Sequence, residues 1–233
     1  MKKILITGDW HLDARTAGQR RYEDIGKVAL ETVEAAAEAN VTHYVFAGDL
    51  CDPDSPCVFR ALDLARTVAA RLWAYDINSF WLVGNHDVVE DGSGDHVLLP
   101  LGDEGSMVID EPCVRQGIAF FPYTALAKRY DPETQLAVMK GDHSAASTYD
   151  KVKLVVSHLQ LKGVTPGGEK DFARGRDEFL PVDAIRAAWP NATIVNAHYH
   201  QPGLHDGVIL SGSLVPLTKA DTGKRGYTLV EVT

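Results

Sequence analysis

Five short apolar runs in this chain end in the same way, and that repetition constrains the fold more than any other feature. Residues 4–7 stop at Gly8-Asp9, residues 41–47 at Gly48-Asp49, and residues 79–83 at Gly84-Asn85-His86-Asp87. Residues 153–157 run into His158, and residues 193–197 into His198-Tyr199-His200. Runs this short and this rich in β-branched and aromatic residues read as buried strands. Two segments with apolar residues at helical spacing lie between the first three. One is 22–40, where Ile25, Val28, Ala29, Thr32, Val33 and Ala36 recur; the other is 58–75. Strand, helix, strand, helix, strand predicts an α/β fold with a parallel sheet covered by helices on both faces. Residues 106–123 read as further strands, 132–139 as a weak helix, 163–175 as a mobile glycine-rich loop and 181–188 as a short helix opened by Pro181. The alternation in 208–210 and 227–232 predicts a closing hairpin or ladder. No linker or repeat interrupts the 233 residues, so a single domain over 1–233 is expected.

Composition narrows the class. Hydrophobic residues make up 45% and charged residues 24%, which excludes wholesale disorder. A net charge of −9 argues against coating nucleic acid by charge alone, but not against gripping phosphate locally through metal ions. Three cysteines cannot all pair within the chain, and their spacing fits no zinc motif, so reduced thiols are expected. No stretch matches a signal-peptide core or a membrane span, and the expectation is a cytoplasmic protein with no membrane partner.

The residues beyond the strand ends carry the chemistry. An Asp-x-His taken alone is commonly a capping carboxylate beside a part-buried histidine, and a lone Gly-Asp is commonly a turn. A His-x-His is stronger, because residues two apart on an extended segment face the same side. The strand ends of one parallel sheet share an edge, so Asp9, His11, Asp49, Asn85, His158, His198 and His200 are expected together. Two carboxylates, four imidazoles and one amide suit Mn²⁺, Fe²⁺ or Zn²⁺ better than Ca²⁺. Two such ions can clamp the attacking and leaving oxygens of a phosphoryl displacement.

In that order, Asp-x-His, Gly-Asp, Gly-Asn-His-Asp, His and His-x-His resemble the calcineurin-like metallophosphoesterases. The stretches GDWHL, AGDLCDPDSP, VGNHD, FPY, VVSHLQLKG and the tail with SGS-x-x-PL and KRGYTLVEV resemble, within them, the SbcD-type nucleases that process DNA double-strand breaks. The resemblance implies central β-sheets flanked by helices and two divalent metal ions, Mn first, with Mg, Fe or Zn as alternatives. It implies one ion on Asp9, His11, Asp49 and His200, and the other on Asp49, Asn85, His158 and His198, bridged by Asp49. It makes His86 the catalytic histidine outside the ligand set and Asp52 its partner, with Asp87 fixing the loop. The implied activity is DNA exonuclease and single-strand endonuclease, and the implied partners are DNA, an SMC-like ATPase subunit and a second copy of the chain through helix 58–75. The family's capping domain and ATPase-binding segments have no counterpart here. Ala197 stands where the family carries Gly, and Asp13-Ala14-Arg15 where it often has Gly or Arg. Arg15, Arg20, Arg21, Lys162, Lys170, Arg174, Arg176 and Lys219 are candidate DNA contacts, and Trp10 either stacks on a base or packs beneath the metals. The alternatives are a small-molecule phosphodiesterase, such as one acting on cyclic nucleotides, a phosphatase, and a non-catalytic binding subunit. Asp87 and Pro53 speak against the phosphoprotein phosphatases, which carry Glu and Arg at those places.

Overall fold

A computed structural model describes residues 2–89, 93–102, 105–123, 132–141, 149–162, 179–218, 221 and 223–233. Elements follow in the order β1 (Lys2–Thr7), β2 (Arg15–Thr16), β3 (Gln19–Arg20), α1 (Tyr22–Glu38), β4 (His43–Phe46), α2 (Val58–Ala74) and β5 (Asn78–Leu82). Then come β6 (Ser106–Ile109), β7 (Cys113–Arg115), β8 (Ile118–Phe121), α3 (Pro132–Gly141) and β9 (Leu154–Ser157). The last are α4 (Val182–Ala188), β10 (Thr193–Asn196), β11 (Gly203–His205), β12 (Val208–Leu210) and β13 (Thr228–Val232). The 163–175 segment lies outside the described residues.

Side chains alternate along each strand, so every run offers two apolar faces. One sheet has the order β13-β1-β4-β5-β6, parallel except for β13. Leu5, Tyr44, Phe46 and Trp81 on its outer face pack against Ile25, Ala29 and Val33 of α1 and Ala65, Val68 and Leu72 of α2. A hydrogen bond of 2.7 Å between Thr32 and the Tyr44 hydroxyl fastens α1 to that face. Ile4, Ile6, Val45, Phe80 and Leu82 face the other way, onto Ile118, Phe120, Leu154, Val156 and Val195 of a second sheet. That sheet has the order β11-β12-β10-β9-β8-β7, with a parallel centre and antiparallel edges. Its outer face carries Leu136 and Met139 of α3 and Ile185 of α4.

The layers are therefore helix, sheet, sheet, helix, with central β-sheets flanked by helices. One sheet with helices on both faces, as the strand pattern alone suggests, is not what forms. A strand apolar on both faces demands cover on each side, and a second sheet supplies it as well as a helix does. The tail also departs from a closing hairpin. β12 pairs with β10 and with β11 across the turn Asp206-Gly207, whose φ values of 47° and 74° are those of a two-residue hairpin turn. β13 joins β1 in the other sheet. Alternation marks a strand but does not name its neighbour.

Trp10 is fully buried, packed on Phe46 and Trp81, with its indole N–H donated to Thr7. It sits in the core and cannot reach a base. The three cysteines are free thiols. Among the described residues no helix is long and apolar enough to cross a membrane.

Candidate metal centre

The loops after β1, β4 and β5 of the first sheet carry Asp9, His11, Asp49 and Asn85. Those after β9 and β10 of the second carry His158, His198 and His200. The expected edge is thus a seam between two sheets. Hydrogen bonds that close the seam include His198 N–H to Asp9 Oδ2 (3.2 Å), His158 Nδ1 to the Ala47 carbonyl (2.6 Å), and Tyr123 N–H to the Val83 carbonyl (2.9 Å).

The backbone is bent to fit. Asp9, His11, Asp49 and His198 all have positive φ, 49°, 45°, 63° and 73°. Such conformations cost roughly 1–3 kcal/mol each and persist where the surroundings over-determine them. Gly48 and Gly84 supply the space: a Cβ on Gly48 would stand 2.4 Å from His158 Nδ1, and one on Gly84 2.2 Å from Asp49 Oδ1. Ala197 does not have positive φ, and its methyl is buried between the sheets. This explains why the family's glycine is dispensable there.

Among the described residues Asp9, His11 and His200 form one cluster of donor atoms that could hold an ion, Asp49, His158 and His198 a second, and His11, Asp49 and His86 a third that shares members with both. His11 Nε2 lies 3.0 Å from His200 Nε2, which is 3.8 Å from Asp9 Oδ1. Asp49 Oδ2 lies 3.5 Å from His11 Nε2 and 3.2 Å from His158 Nε2, within reach of both clusters. Asn85 Oδ1 approaches His158 Nε2 at 3.1 Å and His198 Nδ1 at 2.9 Å. Ligand atoms about 2.1 Å from a common divalent ion stand roughly 3–3.5 Å apart, the spacing observed here. The Ala47 carbonyl takes the Nδ1 proton of His158, which leaves its Nε2 lone pair for the cluster. The donor set is mixed oxygen and nitrogen with no thiolate, and it fits two borderline divalent ions.

Charge differs from one histidine to the next. Burial and then the neighbouring His200 hold His11 well below the usual histidine range. Burial and His158 push His198 down to about 3. Burial also works against the charged form of His158, but the Asp49 carboxylate outweighs it and raises this histidine to about 9. Asp49 itself stays well below the usual carboxylate range: burial opposes ionisation, and His158 and His86 overcome it.

His86 stands beside the clusters, its ring 4.8 Å from that of His11. Its Nδ1 donates to Asp52 Oδ1 at 2.7 Å and its backbone N–H to Asp49 Oδ1 at 2.9 Å. Burial opposes the imidazolium, yet Asp49 and Asp52 raise its pKa to about 10. Asp87 lies one residue further on, fully buried. Its carboxylate accepts the backbone N–H groups of Asp49, Leu50 and Gly84 at 2.7–2.9 Å, tying the two loops together.

Sequence reasoning missed Asp13. Its Oδ2 accepts the Asp52 N–H at 3.4 Å, and burial, then the Asp52 charge, raise its pKa. The available signal was a carboxylate four residues after Asp9 in the same loop. Of the candidate DNA contacts, Arg21 is committed to Asp24, Thr16 and the Pro216 carbonyl. Arg15, Arg20 and Lys162 are exposed, whereas Lys170, Arg174, Arg176 and Lys219 lie outside the described residues.

A family model described as calcineurin-like phosphoesterase matches residues 2–204. Over 86 residues the chain is 35% identical to the DNA double-strand break repair protein Mre11 of Methanosarcina acetivorans, covering 36% of this chain and 14% of that protein's length. A solved dimetal phosphatase from Danio rerio superposes with a TM-score of 0.51 at 13% identity, covering 91% of this chain and 87% of that one. Pseudomonas putida nuclease MPE superposes with a TM-score of 0.38 at 14% identity, covering 88% and 64%.

Proposed function

The chain belongs to the calcineurin-like phosphoesterases and is a hydrolase of phosphoric esters; from that premise we propose that it is a dinuclear-metal phosphodiesterase that cuts DNA from ends and within single strands. The observation that carries the reading is Asp49, whose carboxylate lies within 3.5 Å of histidines from both donor clusters while its other oxygen accepts the His86 N–H. Asp9, His11, Asp49 and His200 would hold one ion, and Asp49, Asn85, His158 and His198 the other. Two divalent ions supply, when bound, neutralisation of phosphoryl charge and a nucleophile at neutral pH through a lowered water pKa.

The chain's own groups do the rest. His86 keeps its Nδ1 proton on Asp52 and holds a second proton on Nε2 for the leaving oxygen. Burial opposes the His86 imidazolium, and the Asp49 and Asp52 carboxylates favour it. Asp13 holds the Asp52 backbone, and Asp87 fixes the turn that presents Asn85 and His86.

The 35% identity to a DNA repair protein over 86 residues supports DNA as substrate. The test is cleavage of 5′- and 3′-labelled single- and double-stranded DNA with Mn²⁺, Mg²⁺ or EDTA, beside cyclic AMP. DNA cleavage that EDTA abolishes is expected. Turnover of cyclic AMP with intact DNA would replace this reading with a small-molecule phosphodiesterase.

A further inference from the structure

The residues after His11 form a β-hairpin that the metal centre does not use. β2 and β3 pair through Ala17-Gly18, both at positive φ, and the register sets Arg15 directly opposite Arg20. Directly opposed residues share a face, and like charges placed so repel. The hairpin is held in spite of this. Thr16 donates to the Leu217 carbonyl at 2.9 Å, and Arg21 to the Pro216 carbonyl at 2.8 Å. Arg15 reaches only the Gly18 carbonyl, at 3.3 Å, and among the described residues no carboxylate lies within ion-pair distance of Arg15 or Arg20. Two adjacent guanidinium groups without a counter-ion form a receptor for an anion with several oxygens.

Both arginines line one side of a groove of about 260 Å³, whose walls also include Tyr22 and the carboxylates Asp13, Asp54 and Asp52, the last the partner of His86. Asp52 thus joins the groove wall to the proposed catalytic histidine. The Arg60 guanidinium, itself paired to Glu23, lies 4.0 Å over the Tyr22 ring, and this cation–π pair forms part of the groove wall. The space admits one nucleotide unit and not a duplex.

Resting on the function proposed above, we propose that this groove binds the nucleotide next to the scissile phosphodiester of a single strand, with Arg15 and Arg20 clamping its phosphate. The substrate is then a strand with at least two consecutive phosphates.

The test uses metal-loaded protein carrying His86→Asn, so that substrate survives, and fluorescein-labelled single-stranded dT12 as probe. Adding Arg15→Ala and Arg20→Ala together should weaken dT12 binding roughly 10- to 100-fold. It should also flatten the slope of log affinity against log salt by about 0.7, the loss of one phosphate contact. The exposed Arg66→Ala on α2 serves as the control and should bind as the parent does. Equal affinity with and without the two arginines, an equal loss in the control, or displacement of dT12 by polyglutamate at lower concentration than by unlabelled dT12 would each overturn the groove. Protein with His86 intact that binds dT12 through these arginines but cleaves no DNA overturns the nuclease reading and leaves the groove standing. Cleavage of DNA with binding indifferent to the arginines does the reverse.

Discussion

His86 and Asp52 stand 34 positions apart in sequence and 2.7 Å apart in space, and Asp13, from a third loop, holds the Asp52 backbone. Replacing His86 by Asn should lower kcat on a phosphodiester by roughly 10²–10⁴-fold. Metal content measured by inductively coupled plasma mass spectrometry should stay at the level of the unaltered protein if His86 stands outside both proposed ligand sets. Retained turnover would show that the leaving oxygen takes its proton elsewhere. Gly48 gives a second prediction. With Gly48→Ala the new methyl would overlap His158 Nδ1 at 2.4 Å, and φ of 102° adds strain, so metal affinity and thermal stability should fall together. Unchanged metal titration and melting would refute the close-approach argument. The gathering of these donor side chains was legible because each follows a strand of recognisable composition. Asp13 was not, because nothing local distinguishes a carboxylate that meets Asp52 from one that meets water.

At the scale of elements, the helices and most strands were readable from periodicity, while their partners were not. The turn after Pro216 shows what periodicity cannot see. Asp221 accepts the N–H groups of Leu217 and Thr218 at 2.7 and 2.8 Å, and this turn in turn receives Thr16 and Arg21 of the hairpin. Burial opposes ionisation of Asp221, but those backbone bonds win and its pKa is lowered. A carboxyl with a depressed folded pKa contributes stability that is present above the unfolded value, about 3.9, and is lost as pH falls through the folded one. Asp221→Asn should therefore cost on the order of 1 kcal/mol at pH 7. The gap between the two melting curves should close as pH drops below about 4. A gap independent of pH would mean that the charge contributes nothing.

For the molecule as a whole, the two sheets meet through an apolar interior, with the donor residues along one rim. Sequence placed all of the donors at one edge but drew that edge on one sheet, because apolar strand faces look alike whether a helix or another sheet covers them. Four donors belong to one sheet's loops and three to the other's, so ions held there tie the layers together. Binding that requires both layers in place stabilises the folded state by mass action, about 2.7 kcal/mol at a free metal concentration 100 times the dissociation constant. Mn²⁺ should raise the melting temperature and EDTA lower it. His198→Ala, which removes a donor of the second sheet, should abolish most of that difference, as calorimetry would record. A melting temperature indifferent to Mn²⁺ would mean that the seam is closed by packing alone.

That division has a temporal side. Asp9, His11, Asp49 and Asn85 leave the ribosome before His158, His198 and His200. Until the last of them arrives, the nascent chain displays half a cage, rich in carboxylate and poor in imidazole. An ion that needs all seven residues could be held only after His200 has emerged.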